Sequence, residues 1–481
     1  MARKSIKKNY LYNVSYQVLL LLVPLITTPY VSRVLGAEGI GTFSFATSIV
    51  TYFVIFATLG TTTYGQREVS YVQRDEYGRS VVFFENVVIR LVSTAIACVA
   101  YLVTLRIMGD VSTMSLVLTL NVIAVATDVS WFFQGLEEFG KVVGRNFVIK
   151  LVNIACIFLF VKTADDLVIY ALIMCALPIV GNLSLVPFLR RYIVRVKASD
   201  LHPIERMPTV LSLFVPAIAI QVYTVLDKTM IGVITADAAQ NGYYEQSQKL
   251  ANMALTLVTS LGTVMVPRIG SLYADGKTDE VRESMSRTYR FVWFLALPLA
   301  FGLGACASNL VPWFFGKGFD EVVLLLQIFG GQIVAIGVNN ATGIQYLIPI
   351  GKQNLFTLSV CIGAGVNFVL NLFLIPFIGA AGAAIASVVA ESVIAIFQLI
   401  KVRHELDVRA MVKSSFTYLV SSGIMCVVLL LVSGLLVPGP LQTMLLIALG
   451  VVVYAVCLLV ARDAFLLEVI DIFKRKVLRR G

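Results

Sequence analysis

Apolar blocks of about 20 residues recur along the whole of this chain, separated by short polar turns. A helix rises about 1.5 Å per residue, so each block is long enough to cross the roughly 30 Å hydrocarbon layer of a bilayer. The remaining composition agrees. Of 481 residues, 58% are hydrophobic and only 14% charged, with a mean hydropathy of +0.87. A soluble protein of this length lacks the charge to cover its surface at that ratio, whereas lipid solvates the excess apolar area. The sequence therefore predicts an all-α integral membrane protein with fourteen transmembrane helices. They run over 11–33, 40–60, 84–105, 114–134, 145–161, 167–188, 208–231, 249–267, 290–311, 322–344, 355–375, 379–400, 415–435 and 441–461. The pattern is most broken at the seventh and eighth, where TVLDKTMIGVITADAAQNGYYEQSQKLAN interrupts the apolar run.

Lys and Arg positions test this topology independently of hydropathy. With the N-terminus inside, 30 of the 38 basic residues fall in segments assigned to the cytoplasm and four (Arg33, Arg106, Lys162, Lys317) in or beside external turns. The positive-inside rule then places both termini in the cytoplasm. The formal charge of +10 is spread loop by loop instead of forming one patch, which argues against nucleic-acid binding. MARKSIKKNYLYN is not followed by a small-residue cleavage site before residue 30, so the first helix is expected to stay as an anchor. All seven cysteines fall within apolar spans without metal-ligand spacing and read as packing residues.

Loops are short, so helices and turns must carry the function. GLEEFGKVVGRNFVIKLVNIACIFLFV at the fifth span and QYLIPIGKQNLFTLSVCIGAGVNFVLNLFLI at the eleventh share Gly-Lys, a following Asn (146 or 354) and a second Asn within the helix (153 or 367). Two pseudo-symmetric six-helix lobes are expected from this faint repeat, a common build for carriers that face both sides of a membrane. They comprise an N-terminal lobe over 1–200 and a C-terminal lobe over 201–410, with 411–481 adding two helices and a basic tail. Pro24, Pro29, Pro178, Pro187 and Pro216 fall inside spans, as candidate hinges or as ordinary kinks.

Charges within spans are costly and normally face a bundle interior or a water-filled path. Arg33 ends the first span and Lys228 lies near the outer part of the seventh, so the repeat would give each lobe one cation suited to a multiply charged anion. External snorkelling, or an ion pair with Glu38, also accounts for Arg33. Arg90 lies about six residues into the third span, with Glu85 five before it and Asp128 on the outgoing fourth, and reads either as a packed pair with a carboxylate or as a bidentate phosphate ligand. Lys150 is a candidate cavity-lining cation. Glu391, midway through the twelfth span, is either a protonation site or a helix-to-helix acceptor. With Asp128 it is a candidate for ion coupling. Asn339, Asn340, Thr342 and Gln345 cluster in the tenth span, fit either to bind sugar hydroxyls or to bond helix to helix. Tyr223, Tyr243, Tyr244, Trp131 and Phe132 read as an aromatic belt.

The stretches NVSYQVLLLLVPLITTPYVSRVLGAEGIGTFSFATSIVTYFVIFATLG, YGQREVS, WFFQGLEEFGKVVGRN, LDKTMIG, GYYEQSQKL and PIGKQN together resemble the bacterial polysaccharide flippases. These form the Wzx-like branch of the superfamily that also contains multidrug and toxic compound exporters (MATE) and lipid II flippases. The resemblance covers essentially the full chain. It implies a MATE-like, two-lobed bundle around a central cavity, in the bacterial cytoplasmic membrane, moving a polyprenyl-diphosphate-linked oligosaccharide from the inner to the outer leaflet for O-antigen or capsule synthesis. Arg33 then corresponds to the arginine of the family's first-helix motif, and Lys228 to the cation of its LDK segment. Arg90, Lys150, Asn339 and Asn340 are further candidates for substrate binding. The resemblance implies no cofactor, although a proton or sodium gradient is a candidate for coupling. Its candidate partners, besides membrane lipids, are a polysaccharide polymerase and an initiating glycosyltransferase.

Nothing in this reading breaks a covalent bond, and no GxxxxGK[ST] phosphate loop is present. Three alternatives stay open: a lipid II-type flippase, a multidrug exporter with a cation-binding cavity, and, from another class, a membrane glycosyltransferase using polyprenyl-linked sugars.

Overall fold

The computed structural model describes the backbone of residues 6–468 and 471, with side chains from 22 onward apart from 215–217, 219–223 and 263. The hinge expected at Pro216, the belt position expected of Tyr223 and the basic tail from 469 lie outside the described side chains. Among the described residues there is no strand.

The chain opens with α1 (Ile6–Thr58), two membrane-crossing arms joined at Gly36, whose φ of 68° lies in the left-handed region. Pro24 and Pro29 lie inside the first arm without ending it, so the break belongs to the glycine and not to the prolines. A short polar helix, α2 (Thr61–Tyr71), leads to α3 (Glu76–Met108), α4 (Thr113–Thr127), the single turn α5 (Ser130–Gly135), α6 (Phe139–Phe160), α7 (Leu167–Leu189) and α8 (Pro203–Thr235). Then come α9 (Ala238–Thr259), α10 (Gly262–Ala274), α11 (Thr278–Phe314), α12 (Glu321–Asn339) with a π-helical extension at Asn340–Leu347, α13 (Gln353–Val402), α14 (Val408–Ser433) and α15 (Pro440–Val460). Like α1, α13 is bent: Ile378 and Gly379 leave helical geometry, with Gly379 at φ 54°.

Eleven stretches of described helix are long and apolar enough to cross a membrane. Two of them, holding the bent helices α1 and α13, carry two spans each, and α8 supplies another, which gives the fourteen expected. The protein is a multi-pass membrane protein. The eighth span starts earlier than its hydropathy indicated. Helix α9 begins at Ala238 because Asn241, Gln246 and Ser247 are buried within protein and never meet lipid. The fourth span keeps its expected extent, Thr113–Gly135, but in two pieces, α4 to Thr127 and then the aromatic turn α5.

The chain divides into two compact units. The first holds residues up to Gly232 together with Asp237–Gly242; the second holds Val233–Ala236 and everything from Tyr243. In the first, α1 packs on α3, α4 and α6, and α4 packs on α7. Close approach there depends on glycine. A Cβ on Gly41 would come within 1.6 Å of the Ala238 carbonyl oxygen, one on Gly242 within 2.0 Å of the Ala37 oxygen, and one on Gly232 within 2.1 Å of the Phe45 ring. Such contacts let helix backbones touch where lipid supplies no hydrophobic drive for association. In the second unit α11 is central, with α12, α14 and α15 packed on it.

Trp131, Phe132 and Tyr244 are fully buried, which corrects the aromatic-belt reading for them. Trp131 stacks on Phe83 at 5.7 Å and donates its indole N–H to the Asp128 carbonyl at 3.0 Å. These rings fill the core beneath α2 and α5, where Gly65 and Gly135 let the two short helices close on Trp131 and Val69.

The segment between α7 and α8 is fastened to α3. The Arg79 Nε donates to the Tyr192 carbonyl at 2.8 Å, and the Val194 N–H to the Ser80 hydroxyl at 2.9 Å. Tyr77 donates to Asp200, and this bond, followed by one from Ser199, holds the Asp200 carboxyl below the usual carboxylate range. Glu85 is completely buried: one oxygen accepts from the His202 N–H at 2.8 Å and the other from Arg206 Nε at 3.0 Å. Truncating one partner of a buried ion pair costs several kcal/mol. Glu85→Ala should therefore release the linker. Trypsin should cut at Arg190, Arg191, Arg195 or Lys197 at least about tenfold faster than in the wild type, the factor that 1.4 kcal/mol of local stability gives; an unchanged rate would show that the linker is held elsewhere.

Candidate functional site

In the first unit, the expected site cations have different surroundings. Arg33 is exposed, three residues before the Gly36 break. Lys228 is half-buried beside the buried Asp227, on a stretch of α8 fixed to the second arm of α1. There the Thr229 hydroxyl bonds with those of Ser48 at 2.9 Å and Tyr52 at 3.1 Å. Packing thus groups Arg33 and Lys228 in one unit, where the sequence repeat would give one to each lobe.

Arg90 is closed in, 2% exposed, and its fork is spread over three elements. Nε donates to the Thr61 hydroxyl at 2.8 Å, Nη2 to the Thr62 hydroxyl at 2.6 Å and Nη1 to the Asp128 carbonyl at 2.5 Å. The Asp128 carboxylate stands 3.6 Å from Nη1 and also accepts from the Ser130 N–H at 2.9 Å, at the start of α5. Of the two sequence readings of Arg90, the geometry is that of the packed pair: one guanidinium ties α2, α3 and the α4–α5 corner together.

Lys150 lines a groove between α6 and α7, of about 270 Å³, shared with Arg145, Asn146, Asn153, Pro178 and Asn182. Arg145, counted by sequence among the cytoplasmic cations, is a groove residue. Nη1 donates to the Asn182 side-chain oxygen at 2.9 Å and Nε to that of Asn146 at 3.0 Å. Asn182 in turn donates to the Ala124 carbonyl at 3.0 Å at the end of α4.

In the second unit, the polar residues of α12 and its π turn meet those of α13. Glu391, 7% exposed, accepts from the Asn339 amide at 2.9 Å. The Asn339 carbonyl oxygen accepts from Gln398 at 2.9 Å, and Gln398 also donates to the Ser359 hydroxyl at 2.9 Å. Asn340 accepts from Gln345 at 2.9 Å, and Thr342 bonds the buried Tyr289 hydroxyl. Further along α13, Asn371 donates to Asn367 at 3.0 Å and Asn367 to the Ser387 hydroxyl at 3.3 Å. The π turn brings the run from Asn340 to Gln345 against α13, and Gly343 makes room, since a Cβ there would lie 3.0 Å from the Gln398 amide nitrogen. Gln398 and Ser387 were missed in the sequence reading. Their signal is the helical spacing 387, 391, 398, which puts three polar residues on one buried face.

The Arg90 fork is testable apart from any cargo. Lysine is a point donor and cannot span Thr61, Thr62 and the α4–α5 corner. Arg90→Lys should therefore lose most of the stability that Arg90→Ala loses, about 3 kcal/mol for an opened buried pair. Denaturation of the purified protein measures this, and a lysine variant as stable as the wild type would contradict it.

Comparison with known proteins agrees with the motif resemblance. The family model described as polysaccharide biosynthesis protein matches residues 6–273, more than half of the chain. The putative O-antigen transporter of Escherichia coli (strain K12) is 23% identical over 409 residues, covering 83% of this chain and 97% of that protein. The lipid II flippase MurJ of Bacillus subtilis (strain 168) is 24% identical over 193 residues, 39% of this chain and 36% of its own. Among solved structures, a lipid II flippase MurJ in an inward closed conformation matches with a TM-score of 0.74 at 14% identity, covering 94% of this chain and 99% of that one. An inward-facing multidrug resistance MATE family transporter gives 0.64 at 14% identity, covering 82% and 95%. At these identities the structural likenesses establish a MATE-like fold. The family match establishes more: this chain belongs to the polysaccharide biosynthesis protein family.

Proposed function

We propose that this protein is a flippase that carries a polyprenyl-diphosphate-linked oligosaccharide from the cytoplasmic to the outer leaflet of a bacterial cytoplasmic membrane, by alternating access, for cell-surface polysaccharide synthesis. Both termini face the cytoplasm in this reading, and the chain makes and breaks no covalent bond. The observation that carries it is that the first unit keeps exposed or half-buried cations, Arg33, Lys150 and Lys228, on helices at or near membrane depth, in a chain of the polysaccharide biosynthesis family.

The physics follows from the cargo. A diphosphate cannot enter hydrocarbon without losing its hydration, whereas its polyprenyl tail is at home there. Arg33 and Lys228 would replace water around the phosphates during the crossing. The amides of Asn339 and Asn340 suit glycan hydroxyls, in competition with the helix-to-helix bonds they already make. Glu391 is the carboxylate we assign to proton or sodium coupling, because it is buried on a polar face at mid-span and accepts from the Asn339 amide. Asp128, held by Arg90 and Ser130, is the less suitable of the two. A polysaccharide polymerase and an initiating glycosyltransferase are the partners such a step would feed and follow. A lipid II-type cargo carries the same diphosphate and is the nearest second reading. An exporter of organic cations is disfavoured by the basic side chains.

Depletion of the protein, followed by mass spectrometry of polyprenyl-linked intermediates and a leaflet-accessibility probe, tests the reading. Completed repeat units should accumulate on the cytoplasmic face. Arg33→Gln and Lys228→Gln should each reproduce this with normal membrane levels, slowing export about tenfold or more for the loss of one charge-assisted contact. Unchanged intermediates on depletion would sink the flippase reading, and trapped lipid II would select the second.

A further inference from the structure

The groove between α6 and α7 lies at membrane depth. Lys150 is 11 residues into α6, about 16 Å along the helix from Phe139. Its ammonium has no carboxylate within ion-pair distance among the described residues, and none of the residues lining the groove is acidic. A cation inside a span normally pairs with another side chain or faces water. Here the neighbours are polar but neutral: Asn146, Asn153 and Asn182 line the same walls, and Arg145 reaches in with its fork oriented by two of them. The orientation is fixed from behind, since Asn182 is itself held by the α4 carbonyl of Ala124. These bonds set the plane of the guanidinium at the groove wall.

The volume, about 270 Å³, has room for a phosphate or diphosphate group. The groove also carries apolar side chains, Ile149 on α6 and Met174 and Leu177 on α7. A ligand with its anionic end in the groove and an alkyl or prenyl chain along these residues would satisfy both surfaces.

We propose that the α6–α7 groove is a lipid-phosphate site, in which Lys150 and Arg145 hold the phosphate ester of a membrane-embedded lipid while its chain stays in hydrocarbon. The chemistry is shared by the diphosphate of a polyprenyl cargo and the phosphodiester of an anionic phospholipid. The site deepens the transport reading and rests on it only for the first of these sources.

Binding to the purified full-length protein in detergent, followed by native mass spectrometry, tests this without any transport assay. The probes are farnesyl diphosphate, dioleoylphosphatidylglycerol and inorganic diphosphate as competitor. Lys150→Gln should weaken retention of the bound lipid about tenfold, and Lys150→Arg should restore it to within about threefold. Asn153→Asp, which sets a carboxylate in the groove beside Lys150 at nearly constant volume, should weaken it as much. Lys162→Gln, in an external turn, should change nothing. Farnesyl diphosphate binding with this pattern, displaced by inorganic diphosphate, would place the cargo headgroup here. The same pattern for phosphatidylglycerol alone would make the site one for a structural phospholipid. If Lys150→Gln, or Asn153→Asp where the first variant does not fold, binds all three probes like the wild type, the proposal is overturned. That result would leave the flippase reading standing, because trapping of intermediates on depletion does not depend on where phosphate docks.

Discussion

Hydrocarbon offers no hydrogen bonds, and the polar architecture of both units follows from that. A polar side chain in a span gains by finding a partner on another helix, and such partnerships help decide which helices sit together. Arg90 shows the strongest case, with its donors distributed over α2 and the α4–α5 corner. Glu391, Asn339, Gln398 and Ser359 do the same in the second unit as a chain of single bonds running from α12 to both arms of α13. The α6–α7 groove stands out against this background because, among the described residues, no carboxylate lies within ion-pair distance of its lysine.

Close packing supplies the rest of the cohesion. Lipid chains are as apolar as leucine, so helices gain nothing simply by hiding apolar surface from them, and contact has to be tight to be favourable. Gly41, Gly232 and Gly242 in the first unit and Gly382 in the second stand where any side chain would collide with backbone or an aromatic ring. At Gly382 the obstacle is the Leu374 carbonyl, on the other arm of the same bent helix, so this contact folds α13 onto itself beyond the break at Gly379.

Much of the fold was legible because span length is a physical quantity that a run of apolar residues reports directly. The misplaced details share a cause. Hydropathy averages over all faces of a helix, so the polar start of α9 looked like a loop although Asn241, Gln246 and Ser247 point into protein. Trp131, Phe132 and Tyr244 lie near span ends in sequence, yet a one-dimensional reading cannot separate a ring facing headgroups from one facing Phe83 or Phe329. The site shows the same limit more sharply. Residue type flagged Arg90, Lys150 and Glu391, but whether a charge is spent on a neighbour depends on residues distant in sequence, such as Thr61 for Arg90 and Asn339 for Glu391. Arg145 was absorbed into a count of cytoplasmic charge, a treatment that has no way to notice that it shares a groove with Lys150.

The break in α1 illustrates a different kind of requirement. Apart from the adjoining backbone, nothing lies within 4 Å of the place where a Cβ on Gly36 would stand, so a methyl group there meets no clash. What it refuses is handedness. With φ at 68° and ψ at 178°, the backbone there is one that an L-residue enters only with strain, while its mirror-image counterpart would rest in it comfortably. A D-alanine introduced by chemical ligation would suit the corner as well as glycine does and would stiffen it besides. Among the twenty encoded residues the achiral one alone meets the condition, and the angle between the arm carrying Arg33 and the arm carrying Gly41 rests on stereochemistry rather than on space.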